Sequence, residues 1–345
     1  MSKKIMTVLG EINPEEMGVT LTHEHAIVDV RSWMHEAPLE LTLRELVKQP
    51  VTLENRGEVV YRNFYFEDNL LQTDVNVAID EIRKFKVAGG GTIFDMSCSP
   101  NIGRDPEALY KISTYTGVNI VMGSGKYVIA SWSKDDLKKT EKQITQDIIN
   151  DFNIGVSDMN IKSGIIGEVG VSDISNATEQ MNLRASAAAQ KELKCGMIIH
   201  CPIWEKDDNK ILDILEKSGA DISRVGLSHC DPTLDDVEYH DSLAKRGAYI
   251  EYDQFGMELM TYEGKFLPSD GQRIEAVLKQ IERGNIDRIL FAHDICFKIT
   301  LTKWGGWGYA HILKHIRPRL LQAGLSNDQI NKIMIENPRR LICGL

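Results

Sequence analysis

Short apolar, β-branched runs recur along the chain between stretches of helical periodicity. They read "GVTLTHEH" near 18–25, "GTIFDMS" at 91–97, "NIVMGSG" at 119–125 and "SGIIGEVG" at 163–170. "GMIIHC" at 196–201, "VGLSHC" at 225–230, "AYIEYD" at 248–253 and "RILFAHD" at 288–294 follow. Helical patterns fill the gaps. In "DVNVAIDEIRKFKVAGGG" the glycines Gly89–Gly91 end a helix and admit the next strand. "SAAAQKELKCG" and "DDNKILDILEKSGADISRV" behave alike, the second stopping at Gly219. Near the end, Ser326 and Gln329 stand in capping-box spacing at the start of "SNDQINKIMIENPRRL", the expected last outer helix.

Strand alternating with helix implies parallel βαβ units, and eight of them predict a closed (β/α)8 TIM barrel, an α/β fold, in one domain spanning 1–345. An open doubly wound sheet is the rival. It lacks its glycine fingerprint: "GSGK" at 123–126 has no upstream glycine, and Tyr127 stands where a phosphate loop needs Ser or Thr. Two segments exceed a minimal barrel. Residues 31–75 form a long insertion after strand 1, rich in aromatics (Trp33, Tyr61, Phe64, Tyr65, Phe66). After strand 8 comes "CFKITLTKWGGWGYAHILKHI", with Trp304 and Trp307 among glycines. Loops that follow barrel strands lie on the catalytic face, so both are candidate lids or pocket walls.

Composition narrows the partners. The 345 residues are 42% hydrophobic and carry a formal net charge of -10, with no basic run. This disfavours nucleic acid and anionic membranes and leaves a small-molecule substrate. Six scattered cysteines without a C-x-x-C pair read as reduced thiols. The first residues reach glutamate and proline before any signal-length apolar run, and no segment has the roughly 20 apolar residues of a membrane span. These features point to a cytoplasmic protein.

The strand ends carry the chemistry. Side chains alternate along a strand, so His23 and His25 share a face and Glu24 takes the other. Strand 4 ends in Glu168, strand 5 in His200, strand 6 in His229 and strand 8 in Asp294. In a barrel these ends crowd around one mouth. Four imidazoles and two carboxylates exceed one tetrahedral zinc, which suggests two ions sharing a bridging carboxylate. Glu168 is the natural bridge; His23, His25 and Asp294 would hold one ion, and His200 with His229 the other. Zinc suits these donors, as do manganese, iron or cobalt. Glu24 and His293 flank ligands and are expected to face away. Cys201 and Cys230 are expected to pack as apolar groups, and Glu251 and Asp253 to line the pocket or orient a histidine. Lys162 precedes strand 4 and cannot stand in for Glu168.

On "TVLGEINPEEMGVTLTHEH", "SGIIGEVG", "IIHC", "SGADISRVGLSHCD", "IEYDQFG", "DRILFAHDI", "WGGWGYAHIL" and "ENPRRL", the chain resembles the phosphotriesterase-like branch of the amidohydrolase superfamily. The resemblance is closest to the phosphotriesterase-related proteins, which have glutamate where organophosphate-degrading members carry a carboxylated lysine. It implies that His23, His25, Glu168, His200, His229 and Asp294 are metal ligands, and that Asp294 orients and takes the proton from a metal-bridging hydroxide. It implies a substrate contact for Tyr127, and a homodimer. Two departures touch the substrate: Pro232 stands where relatives commonly have arginine, and Trp307 where they often have histidine. Lys298, just after Asp294, is a candidate counter-ion for an anionic substrate.

The expected activity is hydrolysis of a small carbonyl compound, an N-acyl amide of the N-acetyltaurine or N-acyl amino acid type. Three alternatives stand beside it: a lactonase or carboxylesterase with side activity on phosphotriesters, a barrel-type metal nuclease, and a non-catalytic metal or ligand sensor.

Overall fold

The computed structural model describes residues 4–36 and 40–344. Eight strands form one parallel sheet: β1 (Val19–Glu24), β2 (Gly90–Asp95), β3 (Asn119–Ser124), β4 (Ile165–Gly170), β5 (Met197–His200), β6 (Val225–Leu227), β7 (Tyr249–Tyr252) and β8 (Ile289–Phe291). Each pairs with its sequence neighbour, for example Ile93 with Ile120 and Gly226 with Ile198, with register shifts between β1 and β2 and between β4 and β5. The free edges of β1 and β8 meet, where Thr22 Oγ1 donates to the Phe291 carbonyl at 3.3 Å and Asp294 N–H to the His23 carbonyl at 3.2 Å. The result is a (β/α)8 barrel, and seven of the eight strands lie inside the segments their apolar runs marked, β2 starting one residue earlier at Gly90.

Helices return the chain along the outside. α1 (Val75–Val87) starts on Asp74, whose carboxylate accepts from the Asn76 and Val77 N–H groups; Gly89 then turns at φ +102° into β2. α2 (Pro106–Thr116), α3 (Glu141–Asn153), α4 (Ala177–Leu193), α5 (Asp208–Lys217), α6 (Val237–Lys245) and α7 (Asp270–Glu282) follow. Ser326 and Gln329 form the expected capping box, but the helix they open widens at Lys332–Glu336 before finishing as Asn337–Cys343. Pro338, without an N–H, stands in its last part.

Two apolar layers hold the sheet. Ile93, Ile120, Ile166 and Ile199 face the helices, while Phe94, Val121, Ile165, Ile198, Tyr249 and Leu290 fill the interior. A third cluster lies above the mouth, where Val30, Phe64 and Phe66 of the first long loop pack on Met257 and Phe297 from the loops after β7 and β8. The 31–75 insertion therefore folds as a wall. It contains short helices Leu41–Leu46 and Arg56–Tyr61, and its strand Leu71–Gln72 pairs with Val28–Asp29. Among the described residues no helix is long and apolar enough to cross a membrane.

Candidate metal centre

The carboxyl ends of β1, β4, β5, β6 and β8 bring His23, His25, Glu168, His200, His229 and Asp294 into one cluster, all buried. His23 Nε2 lies 3.4 Å from Glu168 Oε2 and 3.9 Å from Asp294 Oδ1. His25 Nε2 lies 3.4 Å from Glu168 Oε1 and 3.3 Å from Asp294 Oδ1. On the other side, His200 Nδ1 is 2.9 Å from Glu168 Oε2 and 2.7 Å from His229 Nε2. Three sets of donor atoms lie close enough to share an ion: His23, His25 and Asp294; Glu168, His200 and His229; and His23, His229 and Asp253.

Local backbone aims these groups. His229 and Asp294 leave their strands at φ +59° and +49°, in the left-handed region that His and Asp enter more readily than most residues. In β4 the pairing with β5 slips between Ile166 and Val169. Ile165 faces the interior and Ile166 the helices, so uninterrupted alternation would turn Glu168 outwards; the slip turns it in. Gly167 permits it at φ +129°, where a Cβ would stand 2.6 Å from the Ile198 carbonyl oxygen.

A buried ring of partners fixes the imidazoles. Ser97 Oγ gives its proton to the Ile27 carbonyl at 2.7 Å, so at 3.0 Å it accepts from His25 Nδ1–H, and the ring's Nε2 faces the cluster. Asp253 lies 3.1 Å from His229 Nδ1 and 3.5 Å from His23 Nδ1. Glu251 lies 3.6 Å from His23 Nδ1. Glu24 turns away, as alternation requires. It accepts from His293 Nδ1 at 2.6 Å and from the N–H groups of His293 and Ile295 at 2.9 and 3.1 Å, tying β1 to β8. Cys201 and Cys230 donate to backbone carbonyls and join none of the three donor sets.

The electrostatics are those of a site that attracts cations. Burial alone would lower the pKa of His23, but Glu168, Glu251 and Asp253 raise it well above the ordinary imidazole range. Burial likewise opposes the rise at His229, which Asp253 carries to about 10. His200 is lowered by burial and by His229. Burial would raise the two acids, yet the imidazoles hold Glu168 well below its usual range and Asp294 at about 2. The carboxylates beside His23 and His229 favour positive charge at those positions. Meanwhile both nitrogens of His23 and both oxygens of Glu251 are buried without a hydrogen-bond partner. Such groups are rarely left unsatisfied, and a divalent ion on His23 Nε2 would satisfy one of the two ring nitrogens.

Above the cluster opens a narrow, mostly apolar cavity. Tyr127 lines it, its ring edge-on to His200 at 4.7 Å, and its hydroxyl accepts from Trp33 Nε1 at 2.9 Å. Two expectations need correction. Lys298 is absent from the lining because Asp68, in the insertion, takes its ammonium at 2.5 Å. Trp307 is also absent: it is 47% exposed and stacks on His311 at 4.9 Å. Asp231, ahead of Pro232, points inwards, bonding the fully buried Arg273 at 2.5 Å and the Asp253 N–H at 3.0 Å. Asn63, Gln254, Met257, Cys296 and Phe297 line the cavity without having been singled out. For most of these the sequence holds no signal. Ser97 did have one, since it shares a strand face with Asp95 at a strand end.

The phosphotriesterase family model matches residues 3–342. N-acetyltaurine hydrolase from Xenopus tropicalis is 38% identical over 344 residues, covering 99% of this chain and 98% of that protein. A resiniferatoxin-binding protein from Rhodobacter sphaeroides superposes with a TM-score of 0.95 at 36% identity, over 98% of this chain and 94% of that one. A lactonase from Listeria monocytogenes shares the fold with a TM-score of 0.78 at 24% identity, over 99% of each chain.

Proposed function

Because the chain belongs to the phosphotriesterase family, whose members are metal-dependent hydrolases, we propose that this hydrolase works with two divalent ions, most simply zinc, on N-acyl amides. The observation that carries the reading is the convergence of four imidazoles and two carboxylates on one barrel mouth, with both His23 nitrogens unsatisfied. The amide class rests on the near full-length relatives named N-acetyltaurine hydrolase. His23, His25 and Asp294 would hold one ion, His200 and His229 the other, and Glu168 would face both. Ions bound there supply an acidified water and a Lewis-acid contact for a carbonyl oxygen.

The side chains do the rest. Asp294, held at about 2, is ionised at neutral pH and can accept a proton from the attacking water and return it to the departing nitrogen. Tyr127 stays protonated, because burial and the nearby Glu168 raise its pKa well above the phenol range. Its oxygen already accepts from Trp33, so its own proton is free to donate to the substrate oxygen as charge develops. The aromatic wall from the insertion excludes bulk water from that step.

Turnover of N-acyl amide and lactone panels by metal-loaded protein tests the reading. Amide turnover should fall about 10³-fold in Asp294→Asn. Undiminished turnover would remove Asp294 from its role, and turnover confined to lactones would move the substrate to cyclic esters.

A further inference from the structure

The cavity above the metal centre is walled by Trp33, Phe64, Met257, Tyr262, Leu267 and Phe297. Its uncharged polar groups away from the cluster include Asn63, Gln254 and Thr261, and the Gln254 Oε1 atom is buried with no hydrogen-bond partner. Among the described lining residues none is lysine or arginine. Three cations of the surrounding loops are already engaged by carboxylates, and Lys265 lies over the Trp204 ring at 4.8 Å. Lys298 is held by Asp68, Lys126 by Asp136 at 2.5 Å, and Arg273 by Asp231 and Asp270. At 232, directly after Asp231, the chain has proline, which offers neither charge nor donor.

A sulfonate or carboxylate at the end remote from the metal ligands would lose hydration without gaining a lysine or arginine partner, whereas a hydrocarbon group would gain from burial. Aromatic walls also favour rings, which pack on them edge to face. We propose that the substrate is an uncharged amide whose end remote from the scissile carbonyl is a hydrocarbon or aromatic group, and that this wall discriminates against anionic amides such as N-acetyltaurine. The inference rests on the amide-hydrolase reading for its chemistry, but its specificity claim can be measured without turnover.

Calorimetric titration of zinc-loaded Asp294→Asn protein, its two ions per chain first verified by elemental analysis, with N-acetyltaurine and with N-(2-phenylethyl)acetamide decides it. The neutral probe should bind at least about tenfold more tightly, a difference of about 1.4 kcal/mol. N-acetyltaurine binding equally or better, or neither probe binding, would overturn the proposal. Phe297→Arg, added to the same protein, should narrow or invert the preference; Met257→Lys provides a second site should the first variant fold poorly. A preference unchanged in both would show that the wall does not cause it. Hydrolysis by the wild type is scored separately. If no amide is cleaved while the neutral probe binds selectively, the amide-hydrolase reading fails and the pocket's selectivity stands.

Discussion

Single residues in this site act through the groups behind them. Ser97 passes its proton to a carbonyl and so fixes the His25 ring with one nitrogen facing the cluster. Ser97→Ala should leave the fold intact while weakening metal binding about 10- to 100-fold, measured by competition with a chelator of known affinity. Unchanged affinity would mean that the ring needs no such partner. The H-x-H pair was legible because alternation along a strand is local geometry. The same rule correctly turned Glu24 away, towards His293. Lys298 misled because its partner is tertiary: Asp68 comes from the other end of the chain, whereas Trp307 stacks on His311, only four residues further on.

At the scale of elements, eight apolar runs marked eight strands, since a parallel strand buried on both faces is apolar throughout. What the runs could not show is how β4 departs from regularity. Its slip at Gly167 lies against β5, where a side chain at 167 would meet the Ile198 carbonyl, a neighbour set only once the barrel has formed. Gly167→Ala should therefore cost about 2 kcal/mol or more in denaturant unfolding, and should displace Glu168 enough to abolish turnover. A stable, active variant would show that the slip is dispensable. The insertion was legible as extra chain with aromatic content. That Trp33 braces Tyr127 was not, because the pairing spans separate loops. Trp33→Phe should keep the packing but free the Tyr127 hydroxyl, lowering kcat about tenfold with less effect on KM. An unchanged kcat would dissociate that hydrogen bond from the reaction.

For the molecule as a whole, the barrel buries titratable groups outside the six-residue cluster, and these give its stability a pH dependence. His240 sits between Thr233 and Tyr252, and burial pushes its pKa down from 6.5 to about 4. Between those two values the unfolded chain binds the proton and the native chain does not, so stability rises with pH across the window. Acidification from 6.5 towards 4 should cost up to about 3 kcal/mol through this group. His240→Gln, which can keep both hydrogen bonds, should flatten that part of the curve of melting temperature against pH; an equally steep curve would place the effect elsewhere. The central claim is the metal pair, and metal content per chain by elemental analysis tests it most directly. The account predicts close to two divalent ions in metal-supplemented wild-type protein and a sharp fall in Glu168→Ala. One ion or none in the wild type, or two retained without Glu168, would contradict it.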